Sequence, residues 1–208
     1  MQNCAERKIK TLSLNVRGMI SNSKRHKIFT WLSKQNADII YLQETHCTKS
    51  HEYKYKRDWK GYSFYSHTNS AHSRGVGILI TDKHNALRII NKYCDDDGRT
   101  IILNVEFEGH NLSLVNVYAP NDVKQRSRYY TELSKCMKDN VLYKNSIIVG
   151  GDFNCCIKDI DRSTMTHTND TSRNTLCTVL NNHDLCTNIK FISYFTFHIS
   201  HLELCKFV

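Results

Sequence analysis

Between residues 10 and 16 (KTLSLNV) apolar and polar side chains alternate, placing Leu12, Leu14 and Val16 on one side. That period of two is the signature of a strand with one buried face. The period changes over residues 24–35, where Ile28, Trp31, Leu32 and Gln35 recur at helical spacing with lysines opposite, after Ser21, Asn22 and Ser23, any of which caps a helix well. Short apolar strands are predicted at residues 38–42 (DIIYL), 75–80 (GVGILI), 100–107 (TIILNVEF), 111–118 (NLSLVNVY) and 146–150 (SIIVG). Residues 108–110 join two of these at hairpin length. Between residues 121 and 141 Tyr130, Leu133, Met137 and Val141 line one helical face, and residues 174–181 make a shorter helix carrying Leu176, Val179 and Leu180. Strands outnumber helices and helices fall between them. The pattern therefore predicts an α/β (α+β) layered sandwich, with mixed sheets and flanking helices and no internal repeat.

Composition narrows the class. The 208 residues are 40% hydrophobic and 10% aromatic, enough for a core, and one proline with eight scattered glycines offers no linker at which to divide the chain. A single domain over residues 1–208 is expected. The net charge of +9 is uneven: residues 1–60 hold 13 Lys/Arg against 5 Asp/Glu. A basic front favours a polyanionic partner, because each cation that meets a phosphate releases counterions. Nine cysteines, an odd number with Cys155 and Cys156 adjacent, fit neither a disulfide framework nor structural zinc. Residues 1–10 have no apolar stretch and residues 191–202 are too few and too polar to span a bilayer, so no membrane association is expected and an intracellular location is.

In a layered fold the loops converge on a cleft at the strand ends, so polar residues there are the candidates for chemistry. Four predicted strands end in such residues: Asn15 before Arg17 and Gly18; Gln43, Glu44, Thr45 and His46; Asn116, Tyr118, Pro120 and Asn121; and Gly150, Gly151, Asp152 and Asn154. Singly, each has a plain structural explanation. A strand-end asparagine caps a turn, Tyr118 fits a half-buried core ring, and the Gly150 and Gly151 pair fits a tight turn. Together, carboxylates and amides with hard oxygen ligands, in a basic chain without a thiolate or imidazole cluster, point to a magnesium site acting on phosphate.

The succession LSLNVRG (residues 12–18), LQETH (42–46), RGVGILI (74–80), VNVYAPN (115–121) and GGDFN (150–154) resembles the endonuclease/exonuclease/phosphatase superfamily. Within it the sequence is most similar to the apurinic-type endonuclease domain of non-LTR (LINE-type) retrotransposons, with exodeoxyribonuclease III and apurinic/apyrimidinic endonucleases as relatives. Asp161, Arg162 and Ser163 extend the likeness to the retrotransposon branch, and coverage runs from about Lys8 to about Phe197.

The resemblance implies a Mg2+-dependent phosphodiesterase, with Mn2+ as the alternative ion, that nicks DNA, acts as a monomer and works in the nucleus. It assigns Glu44 and Asn15 to the metal, which acts as a Lewis acid on the scissile phosphate. It assigns Asp152 to the attacking water, Asn154 to holding the phosphate or the aspartate, and Tyr118 to donating its hydroxyl to a phosphate oxygen in the transition state. The expected products are a 3′-hydroxyl and a 5′-phosphate. Thr196 matches a threonine at the floor of the family's site, and Arg162 is a candidate backbone-phosphate contact. His46, beside the metal glutamate, is expected to have no direct catalytic role.

The family's Ser-Arg-x-Asp strand and final Ser-Asp-His do not occur before residue 208, and His198 and His201 follow Thr196 too closely to return across the sheet. The expectation is a domain incomplete at its C-terminus, lacking its last strands, with an exposed sheet edge and a reduced rate. Two alternatives remain: a catalytically inactive remnant that binds DNA through its basic face, and a phosphoinositide-type phosphatase of the same superfamily.

Overall fold

The first half of the chain builds β1 (Thr11–Asn15), α1 (Asn22–Ser33), β2 (Ile39–Gln43), α2 (Glu52–Asp58), β3 (Gly61–Ser66) and β4 (Val76–Thr81). The second half builds β5 (Leu87–Cys94), β6 (Thr100–Phe107), β7 (His110–Tyr118), α3 (Val123–Asn140), β8 (Ser146–Asp152), α4 (Ser172–Asn182), β9 (Cys186–Asn188) and β10 (Glu203–Lys206). This computed structural model describes residues 9–68, 70–82, 87–107, 109–142, 144–155, 170–188 and 203–206.

The strands form two mixed sheets, one in the order β1-β2-β4-β3 and the other in the order β5-β6-β7-β8-β10-β9. The pairs β1/β2 and β7/β8 are parallel and the remainder antiparallel. The sheets pack face to face. Ile39, Tyr41, Ile78 and Ile80 of the first meet Ile101, Leu103, Leu114 and Ile148 of the second in an apolar layer between them. The opposite face of the first sheet (Leu12, Ile40, Leu42, Leu79) is covered by Phe29 and Leu32 of α1 and Tyr55 of α2. The opposite face of the second (Ile102, Val115, Val117, Val149) is covered by Tyr130, Leu133 and Met137 of α3 and by Leu176, Val179 and Leu180 of α4. The result is a helix/sheet/sheet/helix sandwich, as the alternating pattern predicts. Because both faces of β2 and β4 are buried, they read as continuous apolar runs.

The predicted elements all form, with shifts at their ends. In α1 the buried face is Arg25, Phe29 and Leu32, while Gln35 lies beyond the helix end and is exposed. Five elements have no clear pattern in the sequence. β3 (GYSFYS) has no aliphatic residue, α2 buries only Tyr55, and β5 is an edge strand whose central residues face solvent, so none shows a strong period. The other two, β9 and β10, are only three and four residues long. They also alter the expected edge: Leu204 to Lys206 of β10 pair with Ile147 to Val149 of β8, so the sheet continues past β8. Among the described residues no helix is long and apolar enough to cross a membrane.

A geometric repeat also joins the two halves, although the sequence shows none. Arg25, in the first turn of α1, is fully buried, and its Nη1 donates to the carbonyls of Met19 and Ile20 at 3.2 and 2.8 Å. Arg126, in the first turn of α3, donates from Nη1 to Pro120 and Asn121 at 3.2 and 2.7 Å. Each arginine is anchored by a carboxylate from outside its own helix, Asp58 for Arg25 and Asp170 for Arg126, both at 2.7 Å. Arg25 thus pins the loop that leaves β1 and Arg126 the loop that leaves β7.

Candidate active site

Parallel pairing brings strand ends together. Asn15 lies opposite Gln43 at the ends of β1 and β2, and Tyr118 lies opposite Asp152 at the ends of β7 and β8. Packing of β1 on β8 then carries the first pair to the second. The junction is locked by buried amides just beneath. Asn116 Nδ2 donates to the carbonyls of Leu42 and Gly77 in the opposite sheet at 2.9 and 2.7 Å, and its Oδ1 accepts from Gln43 Nε2 at 2.8 Å. Gln43 precedes Glu44 and Asn116 lies two residues before Tyr118, so this bond sets the height of one against the other.

Above that lock four side chains form a chain of hydrogen bonds. Asn15 Nδ2 donates to Glu44 Oε1 at 2.8 Å and to Asp152 Oδ2 at 3.0 Å. The Tyr118 hydroxyl donates to the same Glu44 Oε1 at 2.9 Å. Asp152 Oδ1 accepts the Asn154 backbone N–H at 3.0 Å, and Asn154 Nδ2 donates to the Ala119 carbonyl at 2.7 Å. Two carboxylates therefore share one amide. Burial pushes the Asp152 carboxyl above its ordinary value; the bonds from Asn15 and Asn154 oppose this and the nearby Glu44 charge adds to it. Burial, then the bond to Glu44, raises the Tyr118 phenol, which stays protonated and a donor.

The donor set consists of oxygens. Among the described residues no three His, Cys, Asp or Glu side chains converge as a metal cluster, which argues against a zinc-type site there. A hard divalent ion fits better. Glu44 Oε2 receives no hydrogen bond from a described residue, and His46 Nε2, itself without a hydrogen-bond partner among the described residues, stands 4.0 Å away. A cation near Glu44 would relieve the repulsion that the shared Asn15 amide only partly offsets. His46 is turned away from that role by its surroundings. Burial lowers its pKa, Glu44 raises it, and Lys24 and His72 lower it again. Its ring lies so close to Gly18 that a Cβ there would sit 2.5 Å from Nδ1.

Backbone strain concentrates at this place. Of the eight described non-glycine residues with positive φ, Glu44 (51°) belongs to the cluster, Arg17 (47°), His46 (56°) and Asn154 (47°) adjoin it, and Arg74 (61°) bonds the His46 backbone. Such conformations each cost on the order of 1–3 kcal/mol, and they persist where surrounding structure holds them for a purpose. The Gly150 and Gly151 pair is a related correction. It forms no tight turn but lies inside β8, where a Cβ on Gly150 would sit 2.5 Å from the Tyr41 ring and one on Gly151 (φ 150°) would overlap the Val117 carbonyl.

Of the residues singled out in the sequence, the structure brings together Asn15, Glu44, Tyr118, Asp152 and Asn154. Thr196 and Arg162 lie outside the described residues, as do Asp161, Ser163, His198 and His201. Sequence reasoning missed the supporting roles of Gln43, Asn116 and Arg99. Arg99 places its guanidinium over the Tyr118 ring, 5.3 Å from the centroid, and donates from Nη1 to the Tyr118 carbonyl at 3.0 Å. A signal did exist for Asn116, a polar residue inside an apolar strand.

The class is thus a two-sheet α/β protein with an oxygen-lined acidic site at the carboxyl ends of its strands. The chain belongs to the Endonuclease/Exonuclease/phosphatase family, whose profile matches residues 12–187. It is 30% identical over 151 residues to the transposon TX1 uncharacterized 149 kDa protein of Xenopus laevis, covering 73% of this chain and 11% of that protein. It is 28% identical over 163 residues to an exodeoxyribonuclease of Bacillus subtilis (strain 168), covering 74% of this chain and 61% of that one. The chain therefore spans less than two thirds of either relative. Among solved structures, an AP endonuclease from Archaeoglobus fulgidus shares the fold with a TM-score of 0.67 at 17% identity, over 95% of this chain and 86% of that one.

Proposed function

We propose that the chain is a Mg2+-dependent phosphodiesterase that nicks DNA. The observation that carries this reading is the bonded cluster of Asn15, Glu44, Tyr118 and Asp152, assembled from the ends of four strands in two sheets. The family membership and the nuclease relatives support it, as does the basic character of residues 1–60.

Glu44, with Asn15, would hold the metal ion, which when bound supplies a Lewis acid for the scissile phosphate. Everything else follows from the chain's own groups. Asp152 faces the cluster with its carboxylate fixed by two N–H donors, so it can orient a water and accept its proton as that water attacks phosphorus. Its raised pKa makes it a better base than an exposed aspartate. The Tyr118 hydroxyl, aimed at Glu44 in the free protein, turns to a phosphate oxygen as negative charge builds there. Asn154 keeps Asp152 in register with the loop after β7 through the Ala119 carbonyl. In-line attack leaves a 3′-hydroxyl and a 5′-phosphate.

The end groups test the reading. A labelled duplex incubated with the protein and Mg2+ should yield nicks that a polymerase extends directly, and chelator should abolish them. Nicks blocked at the 3′ end, or formed equally in chelator, contradict the mechanism. Release of phosphate from a soluble inositol phosphate, with no nicking, would move the chain to the phosphatase branch. Salt-dependent DNA binding with no cleavage would make it a binding remnant.

A further inference from the structure

Two residues after Asp152, Asn154 is held in a left-handed conformation (φ 47°), so its place depends on what grips it from outside. The grip comes from the loop after β7. The Ala119 N–H donates to the Asp152 carbonyl at 2.8 Å, and the Ala119 carbonyl accepts from Asn154 Nδ2 at 2.7 Å. The Asn154 backbone N–H in turn donates to Asp152 Oδ1 at 3.0 Å. These three bonds form a ring that orients the Asp152 carboxylate, and the ring is only as firm as the loop over residues 119–121.

That loop is fastened from below by a buried ion pair. Arg126 Nη1 donates to the carbonyls of Pro120 and Asn121 at 3.2 and 2.7 Å, the next two carbonyls after that of Ala119. The remaining donors of the fork turn toward the start of α4, Nε to Ser172 Oγ at 2.8 Å and Nη2 to Asp170 Oδ2 at 2.7 Å. Asp170 Oδ1 accepts the Ser172 N–H at 3.0 Å and the Ser172 hydroxyl at 2.6 Å, so the carboxylate is fixed as well. The same hydroxyl lies 3.9 Å from Sγ of Cys155, the residue after Asn154. One buried pair thus reaches the chain on both sides of Asn154: the loop that bonds its amide and the residue that follows it. A planar guanidinium can serve all these acceptors at once, whereas a lysine offers a single point of charge.

We propose that Arg126 and Asp170 are positioning residues for the Asp152 carboxylate, acting through the Ala119 carbonyl and Asn154. The proposal rests on the phosphodiester reading of the cluster and adds to it the device that holds the attacking side in line. Arg25 supplies the comparison. Its bonds go to Met19, Ile20, Asn22 and Asp58, none of which belongs to the ring around Asp152. The two arginines fasten their loops alike, but only Arg126 is connected to Asn154.

Steady-state nicking kinetics with Mg2+ on Arg126→Lys, Asn154→Ala and the double variant form a double-mutant cycle. Arg126→Lys should lower kcat about tenfold with KM unchanged, the mark of a reacting group displaced on a substrate still bound. Once Asn154→Ala has broken the ring, Arg126→Lys should cost less than about twofold further, while Arg25→Lys combined with Asn154→Ala should be additive. Urea denaturation gives each variant's stability, and rates are compared at a temperature where every variant is folded. Where Arg126→Lys does not fold, Asp170→Asn runs the same cycle. Additive losses for Arg126 and Asn154, a loss confined to KM, or equal coupling of Arg25→Lys to Asn154 overturns the positioning role and leaves the phosphodiester reading standing. A wild type that nicks nothing overturns both.

Discussion

Among the described residues, Asn15 Nδ2 is the only group that bonds both carboxylates of the cluster, at 2.8 Å to Glu44 and 3.0 Å to Asp152. The site's charge balance therefore hangs on one amide and on Tyr118, which bonds the same Glu44 oxygen. Replacing Tyr118 with Phe removes a donor without changing the packing of the ring. Its kcat on a nicking substrate should fall about 10²- to 10³-fold, the usual effect of losing one preorganised donor, while thermal stability stays near that of the wild type. Asn116→Leu should behave in the opposite way. It removes one hydrogen-bond partner each from Gln43 Nε2 and the carbonyls of Leu42 and Gly77, all in the buried junction, so urea denaturation should report a loss of about 3 kcal/mol, accompanied by lost activity. The difference between these residues also explains what the sequence can reveal. Asn15, Glu44, Tyr118, Asp152 and Asn154 stand at strand ends in recognisable motifs, so their candidacy is legible. The bond between Gln43 and Asn116 is not, because it crosses between two sheets and no spacing along the chain predicts that meeting.

The elements most clearly foreseen are those whose apolar period is enforced by two covered faces, such as β2, β4 and β6. Those missed are held by position rather than by pattern: β5 on an edge, and β9 and β10 as short strands completing a sheet. Arg25 falls outside the apolar period of its helix, yet it is buried and fastens the loop after β1 as Arg126 fastens the loop after β7. Removing the cation while leaving its carboxylate should be severe. Arg25→Met and Arg126→Met should each lose about 3 kcal/mol in urea denaturation. Their acid sensitivity gives a second readout. Burial alone would raise Asp58 and Asp170, but the bonds from Arg25 and Arg57 to Asp58, and from Ser172 and Arg126 to Asp170, outweigh it and hold both carboxyls below the ordinary 3.8. The stability they confer is complete above 3.8 and is lost as pH falls through their lower folded values. The unfolding free energy should accordingly drop below pH 3.8, less steeply in Arg25→Met, and an unaltered acid limb in that variant would contradict the assignment.

At the scale of the molecule, two sheets supply halves of one site, and the basic excess of residues 1–60 lies on the half that carries Asn15 and Glu44. Lys24, whose Nζ donates to the Arg17 carbonyl at 2.7 Å, and Arg17, whose charge opposes the raised pKa of Asp152, border the cluster from that side. Arg99, stacked on the Tyr118 ring, borders it from the other side. Charge on both flanks with carboxylates between is the arrangement a phosphodiester backbone needs to lie across the cluster rather than be repelled by it. The central claim is that these carboxylates cleave what the cations hold, and nicking of supercoiled plasmid tests it most directly. Wild-type protein with Mg2+ should relax the plasmid through single nicks, whereas addition of chelator, or Asp152→Asn with Mg2+ present, should reduce the rate at least about 10²-fold. Equal nicking under all three conditions would contradict the account.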